Sequence, residues 1–185
     1  MLESLAEDAG FDPQGKRVAV VGAGGAAGAA VTALILAKAG SLALINRDVD
    51  RAERLLERVE NRLHGMEVTT HPLDASAAAA VRDADLVVNA TPVGMGVEDP
   101  SPIPIEWLRP GQVVFDMVYR PGTTTLVREA IRIGARAYSG LSVADFQRRM
   151  TLQEASLPGS RTLAPTAITG PNTGSVDSVI AQGPV

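Results

Sequence analysis

The sequence predicts an α/β protein in which a doubly wound parallel sheet carries helices on both faces. Hydrophobic residues make up 45% of the 185 residues but aromatic residues only 3%, so the core must consist of aliphatic side chains. Aliphatic runs of strand length alternate with longer segments of helical periodicity, and a glycine-rich turn joins the first strand to a helix. Strands and helices that alternate at this spacing form βαβ units, whose parallel strands are buried on both faces.

Six strands and their connecting helices can be assigned in chain order. A short amphipathic helix over residues 2–10 and a following turn form a linking segment, residues 1–15. The strands are predicted at residues 16–21, 41–45, 66–70, 85–89, 112–116 and 135–138, and the helices at 26–40, 48–64, 75–81, 123–133 and 143–155. Gly40 is expected to end the first long helix. Right-handed crossovers give the strand order 3-2-1-4-5-6, with a ligand crevice beyond the carboxyl ends of strands 1 and 4.

The end of the chain differs in texture from the rest. Residues 156–185 contain no aromatic residue and show no periodic pattern, and Gly and Pro are scattered through them. Such a segment offers too little apolar surface to offset the entropy of ordering it, so we expect a disordered tail. The domain itself is therefore assigned to residues 16–155.

Composition and charge exclude several classes of function. The formal net charge is -4 and there is no basic stripe, which argues against nucleic acid as a partner. The chain has no cysteine, and its two histidines, His64 and His71, lack the spacing of shared metal ligands, so no metal site is expected. The first residues are acidic where a signal peptide is basic, and glycines interrupt the most apolar stretch. We therefore expect neither a leader nor a membrane segment, and a cytoplasmic location.

The segment from Gly22 to Gly28 follows a strand and opens a helix, which is the context that a dinucleotide-binding turn requires. Gly22 permits the tight turn, and Gly24 lets the backbone approach a pyrophosphate. The small residues Ala27 and Gly28 allow the helix to pack close to the sheet. Backbone N–H groups at the helix start, together with the helix dipole, favour phosphate. These features predict a Rossmann-type domain that binds a dinucleotide.

The end of the second strand bears on which nicotinamide cofactor is used. An NAD site usually has Asp or Glu there to accept hydrogen bonds from the ribose, whereas this strand ends in Asn46 and Arg47, with Arg51 one turn into the next helix. Two arginines can pair with a 2′-phosphate, although they can also be solvated residues of a helix start. Asp48 can repel phosphate, bond a ribose or cap the helix. The pattern favours NADP(H) over NAD.

Five blocks of sequence resemble the cofactor domain of shikimate dehydrogenases, over about residues 1–147. They are GAGGAA at 22–27, NRDVDR at 46–51, NATPVGM at 89–95, DMVY at 116–119, and Gly140 followed by Gln147. Their order and spacing are far more specific than the glycine turn alone.

The resemblance implies a role for each block. The pyrophosphate would lie against Gly22, Ala23, Gly24, Gly25 and Ala26, and the adenosine 2′-phosphate against the segment containing Asn46, Arg47, Asp48 and Arg51. The loop containing Asn89, Thr91 and Pro92 would lie beneath the nicotinamide ribose, and Met117 and Gly140 would line the nicotinamide. Tyr119 and Gln147 would reach the small-molecule substrate, shikimate or 3-dehydroshikimate, and both are neutral hydrogen-bonding groups suited to a polyhydroxylated ring.

Shikimate dehydrogenases begin with a substrate domain that carries a catalytic lysine and aspartate, and this sequence starts in the linking helix that follows it. The resemblance therefore implies that no catalytic residue lies in these residues, and it makes a separate substrate domain a candidate partner. We expect cofactor binding without turnover by this chain alone.

Three alternatives to an NADP-linked shikimate dehydrogenase domain stay open. The domain can belong to a quinate or shikimate dehydrogenase that uses NAD. It can be a non-catalytic module that binds NADP and regulates a partner. It can also come from a related reductase such as glutamyl-tRNA reductase, but the NATPVGM and DMVY blocks disfavour this third case.

Overall fold

The structure is a computed structural model that describes residues 1–140. The strands of this part are β1 (Arg17–Val21), β2 (Ser41–Asn46), β3 (Glu67–Pro72), β4 (Leu86–Asn89), β5 (Val113–Asp116) and β6 (Arg136–Ser139). Its α-helices are α1 (Leu2–Glu7), α2 (Gly25–Leu36), α3 (Val49–Glu57), α4 (Ala78–Asp83) and α5 (Thr125–Arg132). Short 3₁₀ turns occupy Glu60–Arg62, Ala75–Ala77 and Ile105–Trp107. The predicted helix 143–155, Gln147 and the predicted tail 156–185 lie outside the described residues.

The six strands form one parallel sheet in the order β3-β2-β1-β4-β5-β6, so the predicted α/β class and strand order are confirmed. β1, β4 and β5 lie in the middle of the sheet, and all their residues except Arg17 are buried. The register aligns Val21 with Ile45 and Asn89, and Asn89 with Asp116. The carboxyl ends of β2, β1, β4 and β5 therefore lie level at one edge of the sheet.

Two hydrophobic clusters pack on the sheet, and their members come from different helices. Leu5 of α1, Leu34 of α2 and Leu55 of α3 belong to the first cluster. Val81 of α4 and Leu126 of α5 belong to the second. The division arises because strands are added on both sides of β1, and it leaves a crevice where the order of the strands reverses. The first helix also joins the core, since Leu5 is 0% exposed.

The predicted end of α2 is wrong. The helix ends at Leu36, and the residue in the left-handed conformation after it is Lys38, with φ 56°. Gly40 is needed for another reason, because a Cβ atom there would lie 2.6 Å from the carbonyl oxygen of Gly15. The chain segment before β1 thus crosses directly over the α2–β2 connection, and the local pattern contains no sign of this contact.

Candidate cofactor-binding site

The turn between β1 and α2 is held between the neighbouring strands. The N–H of Gly22 donates to the carbonyl of Ile45 at 2.8 Å, and the N–H of Ala90 donates to that of Val21 at 2.8 Å. Gly22 has φ 112°, and a Cβ atom there would lie 2.9 Å from the carbonyl oxygen of Ala90. Only glycine fits both this conformation and this approach, so the role predicted for it in the tight turn has a direct structural cause.

The start of α2 presents backbone groups that no side chain caps. Gly24 is its N-cap, no side chain caps it, and its first turn holds no acidic residue. Gly25 and Ala26 are exposed, and a Cβ atom at Gly25 would meet no atom within 4 Å. First-turn N–H groups have no partner within their own helix, so water or a bound anion must satisfy them.

Packing at Ala27 and Gly28 follows the sequence prediction only in part. Ala27 is 0% exposed and belongs to the core. Gly28 is half-buried, and a Cβ atom there would meet only the Leu55 side chain of α3, at an ordinary contact distance of 3.9 Å. The close approach of helix and sheet in this structure therefore depends on the alanine rather than on Gly28.

Asp48 serves as the cap of α3. Its Oδ1 accepts a hydrogen bond from the backbone N–H of Arg51 at 3.0 Å. The side-chain amide of Asn46 donates to the Asp48 carbonyl at 2.7 Å, which holds the segment between β2 and α3. Of the three roles that the sequence leaves open for Asp48, the structure shows the capping role.

The two arginines of this segment are placed differently. Arg51 Nε donates to the carbonyl of Ala23 at 3.1 Å, so its guanidinium lies over the glycine turn. Arg47 is exposed at the carboxyl end of β2. Together they place two guanidinium groups at one end of the crevice.

A cleft of about 280 Å³ runs between the glycine turn, the end of β2 and the loop after β4. Residues predicted to bind cofactor line much of it: Gly22, Ala23, Gly24, Asn46, Arg47, Arg51, Thr91 and Pro92. A wider groove of about 830 Å³ begins at the same turn and runs between α2 and α3, past Arg51, Arg54 and Arg58. The narrower cleft is the one at the reversal of strand order, where a doubly wound sheet binds its ligand.

The carboxyl ends of β4 and β5 are joined by a buried polar network of three side chains. Asn89 and Asp116 are 0% exposed and Thr124 is 1% exposed. Asn89 Nδ2 donates to Asp116 Oδ1 at 2.8 Å, and Thr124 Oγ1 donates to Asp116 Oδ2 at 2.6 Å. Thr124 also caps α5 by accepting from the N–H of Val127. We call these three residues the buried polar network.

The same network shapes the loop that lines the cleft. Asn89 Oδ1 accepts from the Thr91 hydroxyl at 2.7 Å and from the Thr91 N–H at 3.0 Å, and Asn89 Nδ2 donates to the Val93 carbonyl at 3.2 Å. Asn89 was predicted to contact cofactor, a role that stays a prediction. Its side chain lies wholly inside the protein, in contact with the loop.

The tip of this loop is held by two residues that sequence reasoning missed, Asp99 and Arg120. Asp99 Oδ2 accepts from the N–H groups of Gly94 and Gly96 at 3.0 and 2.9 Å, and Arg120 Nη1 donates to the Gly96 carbonyl at 2.7 Å. The backbone hydrogen bonds, first that of Gly96 and then that of Gly94, lower the pKa of Asp99 from 3.8, with a smaller contribution from Arg120. The available signal was Asp99, three residues after Gly96 and directly before Pro100, a composition typical of turns.

Met117 and Gly140 lie together at the ends of β5 and β6. The N–H of Met117 donates to the Asn89 carbonyl at 2.9 Å, and that of Gly140 donates to the Asp116 carbonyl at 2.8 Å. Met117 is half-buried and Tyr119 is 54% exposed. The structure thus places Met117 and Gly140 next to the buried polar network. Met117, Tyr119 and Gly140 are not among the lining residues of the cleft, and Gln147 lies outside the described residues.

Two kinds of feature are absent from residues 1–140. No group of three or more His, Cys, Asp or Glu residues in this part of the chain has the arrangement to hold a metal ion. None of its helices combines the length and apolar character needed to span a bilayer.

A parallel sheet of this order, with a glycine turn and a cleft at the reversal of strand order, defines a Rossmann-type nucleotide-binding domain. Sequence comparison identifies the particular family. A family model described as shikimate / quinate 5-dehydrogenase matches residues 4–95. Together with the relatives below, it shows that the chain belongs to the shikimate dehydrogenase family of oxidoreductases.

Individual relatives agree with this family. The chain is 45% identical over 148 residues to the NADP(+) shikimate dehydrogenase of Moorella thermoacetica, covering 79% of this chain and 50% of that protein. The shikimate 5-dehydrogenase of Listeria monocytogenes, solved with shikimate and NAD, matches with a TM-score of 0.68 at 27% identity over 75% of this chain and 50% of that chain. The enzyme of Thermus thermophilus, solved with NADP(H) and shikimate, matches with a TM-score of 0.62 at 33% identity, covering 84% and 54%. The chain spans about half the length of these relatives.

Proposed function

We propose that this chain is the NADP(H)-binding part of a shikimate dehydrogenase-like oxidoreductase. The observation that carries the proposal is the charge at the end of β2. Arg47 and Arg51 line the cleft there, while the neighbouring acidic side chain, Asp48, is turned to the start of α3 as its cap. An anionic 2′-phosphate matches two guanidinium groups, whereas the ribose of NAD is usually bonded by an acidic side chain at this position.

The start of α2 beside the cleft and the loop after β4 fit the other parts of a dinucleotide. The uncapped start of α2 presents N–H groups, and the open space around Gly25 leaves room for a pyrophosphate against the backbone. Thr91 and Pro92 form the opposite side of the cleft, beneath the expected position of the second ribose. The proposed contacts of Asn89, Met117 and Gly140 concern the nicotinamide half, and those of Tyr119 and Gln147 concern the substrate.

The reaction we propose for the complete enzyme is the interconversion of 3-dehydroshikimate and shikimate. When bound, NADP(H) supplies the hydride donor or acceptor. Names of the relatives support NADP and shikimate as the pair. The family description also includes quinate, and the Listeria structure contains NAD, so a quinate or NAD specificity is the second candidate.

We also propose that this polypeptide does not oxidise shikimate by itself. Alcohol oxidation needs a group that accepts the hydroxyl proton within hydrogen-bond reach. The two lysines of the sequence are Lys16 and Lys38. Lys16 precedes β1 and Lys38 follows α2, and backbone hydrogen bonds tie both to the Gly15 and Gly40 region, at the edge of the sheet opposite the cleft.

Calorimetric titration of the purified 185-residue chain with NADPH and NADH tests the proposal. We expect tighter binding of NADPH, together with shikimate oxidation at background level when NADP⁺ and shikimate are both present. Preferential binding of NADH would favour the second candidate, and binding of neither cofactor would contradict the proposed function. Robust turnover would contradict the proposal that the polypeptide is inactive alone.

A further inference from the structure

We propose that Asp116 is a positioning residue that sets the nicotinamide half of the cofactor site through the buried polar network. This inference rests on the proposed function. A doubly wound sheet binds a dinucleotide across two mononucleotide halves. Arg47 and Arg51 assign the adenosine half to β1–β3, so the second nucleotide lies over the ends of β4 and β5, which Asp116 and Asn89 join.

Both carboxyl oxygens of Asp116 have hydrogen-bond donors as partners. Its Oδ1 accepts from Asn89 Nδ2 at 2.8 Å and from the Val118 N–H at 3.0 Å, and its Oδ2 accepts from Thr124 Oγ1 at 2.6 Å. All three partners of the carboxyl group are hydrogen-bond donors. No buried side-chain N or O atom in the described residues lacks a partner, and a fully satisfied network of this kind favours a single arrangement of its members.

Asn89 transmits this arrangement to the cleft. Its amide cannot be reversed, since Nδ2 faces the Asp116 carboxyl and the Val93 carbonyl while Oδ1 faces two donors of Thr91. The Thr91 hydroxyl in turn accepts from the Val93 N–H at 3.2 Å. Thr91 and Val93 both line the cleft. The backbone that meets the second nucleotide therefore takes its position from a carboxyl group that does not itself line the cleft.

On the other side, Asp116 holds Thr124 and thereby the start of α5. Gly94 lies against this residue, because a Cβ atom at Gly94 would meet the Thr124 methyl carbon at 3.5 Å. Gly94 has φ 108°, so the loop turns at this contact in a conformation that few other residues adopt. Asp116 thus bonds Asn89 at the start of the cleft loop and Thr124, which lies beside Gly94 at the tip of the loop.

The experiment compares two ligands on the full chain by calorimetry: NADPH, and adenosine 2′,5′-bisphosphate, which lacks the nicotinamide half. The matched variants are Thr124→Val, which removes at nearly constant volume the hydroxyl that donates to Asp116 and caps α5, and Thr124→Ser, which keeps both hydrogen bonds and loses only the methyl carbon beside Gly94. Asp116→Asn is a third variant, in which an NH₂ group must replace one acceptor oxygen. Thr124 and Asp116 do not line the cleft, so neither substitution removes a ligand contact there.

Losing a buried hydrogen bond to an acceptor of this kind should weaken NADPH binding by about three-fold or more in Thr124→Val and Asp116→Asn. We expect the affinity for the bisphosphate to stay within about two-fold of that of the unsubstituted chain. Thr124→Ser should bind NADPH about as tightly as the unsubstituted chain does. The fluorescence of saturating NADPH should change in the same two variants. Circular dichroism reports whether each variant is folded. If Asp116→Asn does not fold, Thr124→Val still tests the inference.

Equal losses for both ligands, or no selective loss of NADPH in a folded Thr124→Val chain, would overturn the inference. Failure of the unsubstituted chain to bind even the bisphosphate would instead contradict the proposed function. The two failures are therefore distinguishable.

Discussion

The two halves of the cleft are built in opposite ways. Around the glycine turn, uncapped backbone groups and exposed arginines form the site. The groups that would contact a ligand there have few other structural roles. At the ends of β4 and β5, buried side chains form a closed network, and the loop above it takes its shape from them. Substitutions in the first half should therefore mainly change ligand affinity, whereas substitutions in the second half should mainly lower the free energy of unfolding.

The largest expected effect is that of Asp116→Ala, which removes the acceptor at the centre of the second half. Three donors, on Asn89, Val118 and Thr124, would lose their partner inside the core. At about 1–3 kcal/mol for each buried donor left unsatisfied, the free energy of unfolding should fall by at least about 3 kcal/mol. Urea denaturation measures this loss.

Asp48→Ala is the matched control, because it also removes a carboxyl group that accepts a backbone N–H, but from an exposed helix cap in the first half. Loss of such a cap costs about 1 kcal/mol. Equal losses in the two variants would show that the halves do not differ in the way we infer.

Gly22→Ala should also be severe, although it lies in the first half. The substituted residue would have to adopt φ 112° with its Cβ atom 2.9 Å from the Ala90 carbonyl oxygen. Backbone strain of this kind costs about 1–3 kcal/mol before any clash is relieved. Gly25→Ala, three residues along the same turn, should leave the free energy of unfolding nearly unchanged, since its added Cβ atom meets nothing within 4 Å. Similar urea midpoints for the two variants would contradict the geometry of the turn.

Arg47→Ala tests the first half as a binding surface. Removing a charge-assisted contact with the 2′-phosphate should weaken NADPH by about 1.5–3 kcal/mol, which is roughly ten-fold or more, and leave NADH little changed. Arg54→Ala is the control. Arg54 Nη2 lies 3.9 Å from Asp48 Oδ2, and the residue is not among those that line the cleft. Equal losses for the two cofactors in Arg47→Ala, measured by calorimetry, would remove the basis for the NADP assignment.

The smallest effect concerns Asp99 at the tip of the loop. Its pKa is held below 3.8 chiefly by the N–H groups of Gly96 and Gly94. A lowered pKa means that the ionised form stabilises the loop fully above pH 3.8, and that this contribution is lost as the pH falls through the lowered value. An NMR titration of the carboxyl carbon should give a midpoint below 3.8.

The variant Arg120→Met should raise that midpoint only slightly, because the arginine contributes least to lowering the pKa of Asp99. A midpoint at or above 3.8 in the unsubstituted chain would show that the two backbone hydrogen bonds do not form in solution.

Local patterns in the sequence are sufficient to predict the fold class and the glycine turn. The strand order then follows from the right-handed crossovers that joined βαβ units require. Periodicity over a few residues indicates strands and helices, and glycines at short spacing after a strand indicate the turn. The proposed NADP preference was inferred in the same way, since Asn46, Arg47 and Arg51 lie within one short segment. Even Asp48, whose role the sequence left open, had capping among its alternatives.

The contacts between distant segments are visible only in the folded structure. Asn89 and Asp116 are 27 residues apart in the chain, and they meet because β4 and β5 pair in parallel with these residues in register. The need for glycine at position 40 likewise comes from contact with Gly15 rather than from the end of α2. Asp99 and Arg120 contact the same loop from two other segments. Such contacts depend on how packed strands and helices bring remote residues together, and no local pattern contains that information.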